Sequence, residues 1–155
     1  MERKTKVHAE DGKQDLTITR EFDLPVALLF RAYTEAGIVE QWMGTKVLKL
    51  ENRQYGGFAF ETSDPQGNVL FSAHGTIHDL VPDQKIVRTF EMDNAGFDAQ
   101  LEFLEFEPLT AGTSRLIMQI IYRSPAHREQ QLKLPFAYGI NMAHNRLQDI
   151  VSKLK

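Results

Sequence analysis

The stretch that decides the fold is Leu134–Leu154, with the sequence LPFAYGINMAHNRLQDIVSKL. Its apolar residues recur at steps of three and four, the spacing that places side chains on one face of an α-helix. They are Phe136, Ile140, Ala143, Leu147, Ile150 or Val151, and Leu154. Such a stripe must be covered by other elements, and most of the sequence upstream is typical of short β-strands that could cover it.

The segments before this helix alternate between strand and turn signals. Apolar and polar residues alternate over Leu16–Phe22, which predicts a strand with one covered face. A helix is predicted from Pro25 until Gly37, and a second short helix over Ile38–Met43. From Lys46 onward, five turn signals separate about six strands, and the gaps are too short for the crossover helices of parallel pairing. The turn signals are Gly56-Gly57, Asp64–Gly67, Pro82–Gln84, Asp93–Gly96 and Ala111–Thr113.

The element order therefore predicts an α+β fold in one domain over residues 1–155. We expect a curved antiparallel sheet of about seven strands that grips the C-terminal helix, with a small-molecule cavity between them. Residues 1–14 are polar and aperiodic, which predicts a frayed start or a short edge strand. The polar segment 124–133 is interpreted as a loop, partly helical, that leads into the last helix.

Composition excludes several classes of protein. The 155 residues are 42% apolar and 25% charged, which is ordinary for a globular domain, and no run approaches the roughly 20 apolar residues of a membrane span. A net charge of −3 gives no electrostatic basis for binding nucleic acid or an anionic membrane. The sequence has no cysteine, which excludes disulfides, thiol nucleophiles and cysteine-based zinc sites. Cytoplasm is the expected compartment.

Strand alternation and helical periodicity together predict the wall of the cavity. In two strands both faces are apolar, so the sequence does not decide which face points inward. In one of them, Leu101 and Phe103 lie on one face and Leu104 and Phe106 on the other. An apolar outer patch on these strands would serve a homodimer or a partner protein such as a chaperone. The expected ligand-binding residues are Phe30, Trp42, Phe58, Phe60, Phe90, Met92, Leu104, Met118, Ile120, Tyr122, Phe136, Ile140 and His144.

Few residues suggest catalysis or metal binding. His74 and His78 are four positions apart in a predicted strand, which separates their Cα atoms by about 13 Å, so one metal cannot reach both. The sequence has no phosphate-binding loop, dinucleotide fingerprint or nucleophile elbow, and we expect no catalytic residue, metal or cofactor. His144 lies on or beside the apolar stripe, where it would either contact a ligand or bond to a neighbouring group. Glu102 points inward if Leu104 does.

An ordered set of short motifs resembles the family of homologues of the heat-shock-protein-90 ATPase activator. This family belongs to the START and polyketide-cyclase-like helix-grip (SRPBCC) superfamily. The resemblance covers about Leu16 to Leu154. The motifs are Ile18–Pro25, Leu29–Ala32, Trp42-Met43-Gly44, Gly56-Gly57-Phe58, Gly75–Pro82 with Ile86–Phe90, Gly112–Leu116, Gly139-Ile140 and Arg146-Leu147.

The resemblance implies a START-like helix-grip fold with a deep cavity for a hydrophobic or amphipathic small molecule. Ile140 stands where many members carry Trp, and His144 stands where an apolar or aromatic residue is usual. These differences would alter the wall of the cavity without altering the fold. The resemblance does not extend to the additional N-terminal domain of the eukaryotic co-chaperone, so we do not expect activation of the chaperone.

Three functions are compatible with this interpretation of the sequence. The favoured one is a carrier or sensor for a lipid, aromatic or isoprenoid-like ligand, which needs no catalytic constellation. The alternatives are a cyclase-like enzyme, in which His144 or Glu102 moves a proton inside the cavity, and a co-chaperone-like stress-response partner protein. A pair of polar groups converging inside the cavity would favour the enzyme.

Overall fold

The computed structural model describes residues 3–155, which form eight strands and four helices. The strands are β1 (Lys6–His8), β2 (Asp15–Phe22), β3 (Lys46–Leu50), β4 (Gly57–Ser63), β5 (Val69–Val81), β6 (Lys85–Met92), β7 (Gln100–Pro108) and β8 (Ser114–Ile121). The helices are α1 (Val26–Thr34), α2 (Ala36–Met43), α3 (Pro125–Lys133) and α4 (Phe136–Ser152). The predicted α+β fold, with an antiparallel sheet and a long C-terminal helix, is confirmed.

All strands belong to one sheet in the order β1-β2-β8-β7-β6-β5-β4-β3, and every neighbouring pair is antiparallel. Strands β3 to β8 form a continuous meander, whereas β2 pairs with β8 at the far end of the chain. Helices α1 and α2 therefore carry the chain from β2 across to β3 near the opposite edge. The sheet has one strand more than the seven predicted. The additional strand is β1, which lies inside the segment expected to fray or to form an edge strand.

Irregular pairing bends the sheet where it must curve around the helix. The register shifts between Val47 and Lys49, and again between Ile77 and Asp79, as expected for β-bulges. Gly75 lies on β5, two residues before the second of these shifts begins. A Cβ atom built there would collide with the carbonyl oxygen of Thr89 and lie 2.6 Å from Cζ of Phe58. The strands thus approach each other as closely as a residue without a side chain permits.

The helices differ from the predicted boundaries at two places. Glu35 is extended, so α1 ends at Thr34, and Gly37 lies inside α2 instead of ending the first helix. The segment interpreted as a partly helical loop forms α3. This helix begins after Ser124, whose side chain accepts a hydrogen bond from the backbone of His127, and Pro125 occupies the first helical position.

Helix α4 is packed into the core along only part of its length. Leu147 and Val151, in its second half, are fully buried in the hydrophobic core. In its first half, Phe136, Ile140 and Ala143 are only partly buried. The apolar stripe predicted from the sequence is therefore present, but its first half faces space that protein side chains do not fill.

The ambiguity of the two central strands is resolved by burial. On β7 the side chains of Glu102, Leu104 and Phe106 point into the core, while Leu101 and Phe103 lie on the partly buried outer face. A dimer or partner contact on that outer face stays a prediction. Within residues 3–155, no helix combines the length and the apolar character needed to cross a membrane.

Replacing Gly75 with alanine should destabilise the fold, because the added methyl group must displace the Thr89 backbone or the Phe58 ring. We expect Gly75→Ala to lower the free energy of unfolding in urea by about 2 kcal/mol. Gly37→Ala is the matched control, since a Cβ there has no neighbour within 4 Å and lies in a helix. The control should leave stability equal or raise it by about 0.5 kcal/mol. Equal stability of both variants would contradict the close strand approach.

Candidate functional site

A cavity of about 240 Å³ lies between the sheet and the first half of α4. Strands β2, β6, β7 and β8 form its floor, and helices α1, α2, α3 and α4 contribute its other walls. Its apolar lining consists of Ile18, Tyr33, Trp42, Met43, Phe90, Met118, Ile120, Phe136, Ile140 and Ala143. Its polar lining consists of Arg88, Gln100, Glu102, Gln131 and Arg146. The space is thus mainly apolar, with a few polar groups, which is the usual make-up of a small-molecule site.

Trp42 holds a fixed position in the cavity wall. Its indole Nε1 donates a hydrogen bond of 2.7 Å to the carbonyl oxygen of Ala32. The edge of the Tyr33 ring packs against it with 5.2 Å between ring centroids. Burial raises the pKa of the Tyr33 phenol, which is therefore neutral across the physiological range. Helix α2 thereby presents a rigid aromatic surface to the cavity.

The floor of the cavity contains a buried ion pair. Arg88 on β6 and Glu102 on β7 are direct cross-strand partners, and Arg88 Nε donates to Glu102 Oε1 over 2.8 Å. The other carboxylate oxygen accepts a 2.7 Å hydrogen bond from Nε2 of Gln100. The Arg88 guanidinium also lies over the Phe58 ring, 5.1 Å from its centroid. Only 10% and 3% of the two charged side chains are exposed.

Helix α3 brings a polar residue to the cavity because a buried arginine fixes it to the rest of the fold. The guanidinium of Arg128 donates to the backbone carbonyl oxygens of Glu10 and Asp15, over 2.7 and 2.9 Å. Gln131, one turn later, lines the cavity, and its Oε1 is buried without a hydrogen-bond partner among residues 3–155. A buried acceptor left unpaired costs about 1–3 kcal/mol.

His144 lies outside the cavity wall and bonds to a neighbouring group, which is one of the two alternatives that the sequence left open. Its Nδ1 is 2.6 Å from Oγ1 of Thr5, beside β1, and its ring packs edge-on against Phe22 at 5.5 Å. Asn141, on the same side of α4, accepts a hydrogen bond from the Thr5 backbone. At about 100° per residue, the eight positions from Phe136 turn His144 about 80° away from it. The residue therefore joins α4 to β1 and does not face the cavity.

The other expected ligand-binding residues divide into two groups. Those in the cavity wall are Trp42, Phe90, Met118, Ile120, Phe136 and Ile140. Those outside it, with His144, are Phe30, Phe58, Phe60, Met92, Leu104 and Tyr122. Phe30 packs on Phe106 in the core, and Phe58 packs against Phe60. Side-chain alternation identifies the covered face of a strand where only one face is apolar, but it does not distinguish residues beneath the cavity from residues elsewhere in the core.

Sequence reasoning missed Arg88, Gln100, Gln131 and Arg146. Arg88 could have been found from the alternation of β6, since it shares a face with Ile86 and Phe90. Gln100 shares a face with Glu102 on β7 in the same way. Gln131 carried no such signal, because α3 has almost no apolar face and its buried residues are Arg128 and Gln131.

A separate group of potential metal ligands consists of His74 on β5, Glu91 on β6 and Asp93 directly after β6, and none of the three lines the cavity. His74 Nδ1 is 2.7 Å from Asp93 Oδ1, and His74 Nε2 is 4.0 Å from Glu91 Oε1. Glu91 lies opposite His74 on the neighbouring strand, and the spacing of His74 and His78 in the sequence could not identify this neighbour. About half of the His74 side chain is exposed, and ordinary ion pairing accounts for this geometry.

The geometry of the cavity suits anchoring better than proton transfer. Both oxygens of Glu102 already accept hydrogen bonds, one of them from a guanidinium. Both oxygens are therefore engaged by protein donors, whereas a cyclase would need a base with an oxygen directed at its substrate. The polar groups can orient a bound molecule, and the apolar wall can remove its body from water.

These features define an α+β helix-grip domain with an internal cavity. The family model described as Activator of Hsp90 ATPase homolog 1-like protein matches residues 23–152, so the chain belongs to this family. The family resemblance seen in the sequence motifs is confirmed. No curated protein matches the sequence.

Solved structures with the same fold come from several bacteria. A protein from Rhodobacter sphaeroides has a TM-score of 0.84 at 18% identity, with 96% of this chain and 99% of that chain covered. Protein Ms6760 from Mycobacterium smegmatis has a TM-score of 0.83 at 19% identity, with 95% and 96% covered. A protein from Arthrobacter aurescens has a TM-score of 0.85 at 13% identity, with 96% and 91% covered. At these identities the likeness establishes the fold.

Removing one charge of the buried pair should strongly destabilise the protein. Glu102→Gln keeps the shape of the side chain but leaves the Arg88 guanidinium buried without a counter-charge, so we expect a loss of about 3 kcal/mol in urea unfolding. Glu105→Gln is the matched control on the exposed face of the same strand, and should change stability by less than about 0.5 kcal/mol. A small effect of Glu102→Gln would show that water solvates the pair.

His144 should make stability depend on pH. Burial, with a smaller contribution from the charge of Arg20, lowers the pKa of His144 from 6.5 to about 3. Between these values the unfolded chain binds a proton that the folded chain does not, so this contribution to stability is complete above pH 6.5 and is lost as pH falls towards 3.

Urea unfolding across this pH range should show that the free energy of unfolding of the wild type falls by up to about 1.4 kcal/mol per pH unit relative to that of His144→Gln. The variant serves as the reference because its side chain does not titrate. Parallel pH profiles for the two proteins would contradict the buried, neutral imidazole.

Proposed function

We propose that this protein binds a small, largely apolar organic molecule in the cavity beneath α4, as a carrier or sensor. The observation that supports this most directly is the unfilled space under Phe136, Ile140 and Ala143, where the helix leaves its apolar face partly uncovered. Exposed apolar surface of this kind gains free energy when a ligand covers it, about 25 cal/mol for each Å² removed from water.

The size of the cavity narrows the class of ligand. An apolar cavity of about 150 Å³ accommodates benzene, and pockets for drug-sized ligands begin near 300 Å³. A cavity of about 240 Å³ lies between these values. This favours a molecule of one or two rings over a long acyl chain, and the aromatic surface of Trp42 and Phe90 suits such a ring.

The polar groups add a requirement for hydrogen bonding. Glu102 and Arg88 satisfy each other, whereas the Oε1 of Gln131 is a buried acceptor without a partner in the described part of the chain. A hydroxyl or amino group on the ligand, placed beside Gln131, would supply the missing donor. We therefore propose an amphipathic ligand, with an apolar ring and at least one polar group. A cytoplasmic location stays a prediction, supported by the absence of cysteine.

Filling the cavity with a protein side chain should abolish binding. Trp42 is the single tryptophan of the chain and lies in the cavity wall, so its fluorescence should report a ligand directly. Phenylpropanol is a suitable one-ring probe, because its absorption barely overlaps that of tryptophan. We expect the wild type to show saturable changes in Trp42 emission and a higher melting temperature with this probe.

Ala143→Phe places a ring inside the cavity and should reduce the affinity for phenylpropanol at least tenfold while the protein remains folded. Ala137→Phe makes the same change on the exposed face of α4 and should bind like the wild type. Equal binding by all three proteins would locate the probe elsewhere and reject the proposed site. Circular dichroism checks that both variants are folded.

A further inference from the structure

The charges that line the cavity do not balance. Arg88 and Arg146 are positive, and Glu102 is the single acidic residue among the lining side chains. Arg88 is neutralised by Glu102 at 2.8 Å. The cavity wall therefore carries one excess positive charge, and it belongs to Arg146.

Arg146 is oriented but has no counter-charge. Its Nε donates a hydrogen bond of 3.1 Å to the carbonyl oxygen of Trp42, which fixes the plane of the guanidinium beside the cavity wall. None of the ion pairs within residues 3–155 includes Arg146. The residue as a whole is solvent-exposed, so it lies where the cavity meets water.

Arg146 lies on a different side of α4 from the residues that form the apolar wall of the cavity. Relative to Phe136, Ala143 lies about 20° to one side of the helix axis, and Arg146 lies about 80° to that same side. His144 lies about 80° to the other side, against β1. Arg146 therefore faces α2 and the edge of the cavity, and a ligand that covers Ile140 and Ala143 would end next to its guanidinium.

We infer that the ligand of this cavity is a small organic acid, whose apolar body lies beneath α4 and whose carboxylate binds the guanidinium of Arg146. The inference rests on the proposed function and names the chemical class of its ligand. A guanidinium is planar and matches the two oxygens of a carboxylate, and Nη1 and Nη2 of Arg146 hold no hydrogen bond within the described residues.

The amount of charge favours a carboxylate over a phosphate ester. A carboxylate carries one negative charge, which equals the excess on the wall. A phosphate monoester carries about 1.5 to 2 negative charges at neutral pH and would leave part of its charge uncompensated.

Two probes that share a carbon skeleton test this inference. Phenylpropanoate and phenylpropanol differ in a carboxylate against a neutral hydroxymethyl group, and both can be titrated against Trp42 fluorescence and by calorimetry. We expect the wild type to bind the acid about tenfold more tightly than the alcohol, which is the value of one charge-assisted hydrogen-bond pair. Added salt should weaken binding of the acid and leave binding of the alcohol unchanged.

Arg146→Gln should remove this preference, with the acid weakened about tenfold and the alcohol changed less than twofold. Arg53→Gln is the matched control, because Arg53 is an exposed arginine in the β3–β4 loop that pairs with Glu51. It should leave both affinities unchanged.

The outcomes separate the two proposals. Equal affinity for acid and alcohol, with both lost in Ala143→Phe, overturns the acidic ligand and retains the binding cavity. Binding of the acid that persists in Ala143→Phe places it on the surface and overturns the inference. Binding of neither probe to the wild type counts against both the acidic ligand and the proposed cavity.

Discussion

The buried pair of Arg88 and Glu102 is the constraint on which the cavity depends. Two charges on the floor of the sheet can be kept from water only while their mutual hydrogen bonds are intact. If α4 moved down to close the gap, the apolar side chains of Phe136 and Ile140 would press against charged groups and remove their remaining solvation. The ion pair thus opposes collapse of the helix onto the sheet, and the second half of α4, anchored by Leu147, holds the helix in place. The cavity thus has a floor that contains charged groups and a roof formed by the partly covered apolar side of α4.

Local periodicity explains how much of the fold could be predicted. The steps of three and four in α4 and the alternation in β2 are properties of short segments, and each gave the correct element and the correct buried face. The face of β7 stayed open because Leu101 and Leu104 are equally apolar. The inward face of β7 could be assigned only with the neighbouring strand, because the charged Glu102 can be buried only when β6 places Arg88 opposite it. Pairing across strands is information that a single segment does not contain.

The same reasoning explains why the sequence could not place His144 and why Gln131 is absent from the predicted site. A helical stripe is broad, and its two margins contact different parts of the fold, so the stripe alone could not assign His144 to β1. Gln131 faces the cavity because Arg128 holds α3 through backbone carbonyl oxygens far away in sequence. Family membership gives the overall architecture, but it does not describe the charge of Arg146 or the polar residues that line this cavity. The ligand must be argued from them.

The pairing of β2 with β8 sets the order in which this protein can assemble. Ile18 lies opposite Met118, 100 positions later, while the strands from β3 to β8 find their partners in adjacent hairpins. During synthesis, the apolar side of β2 must wait for most of the chain to emerge before its neighbour exists. Loop closure over such a distance is slow, and the waiting segment is prone to aggregation. The cavity is completed only when α4 joins the sheet, because α4 follows every strand that forms the cavity floor.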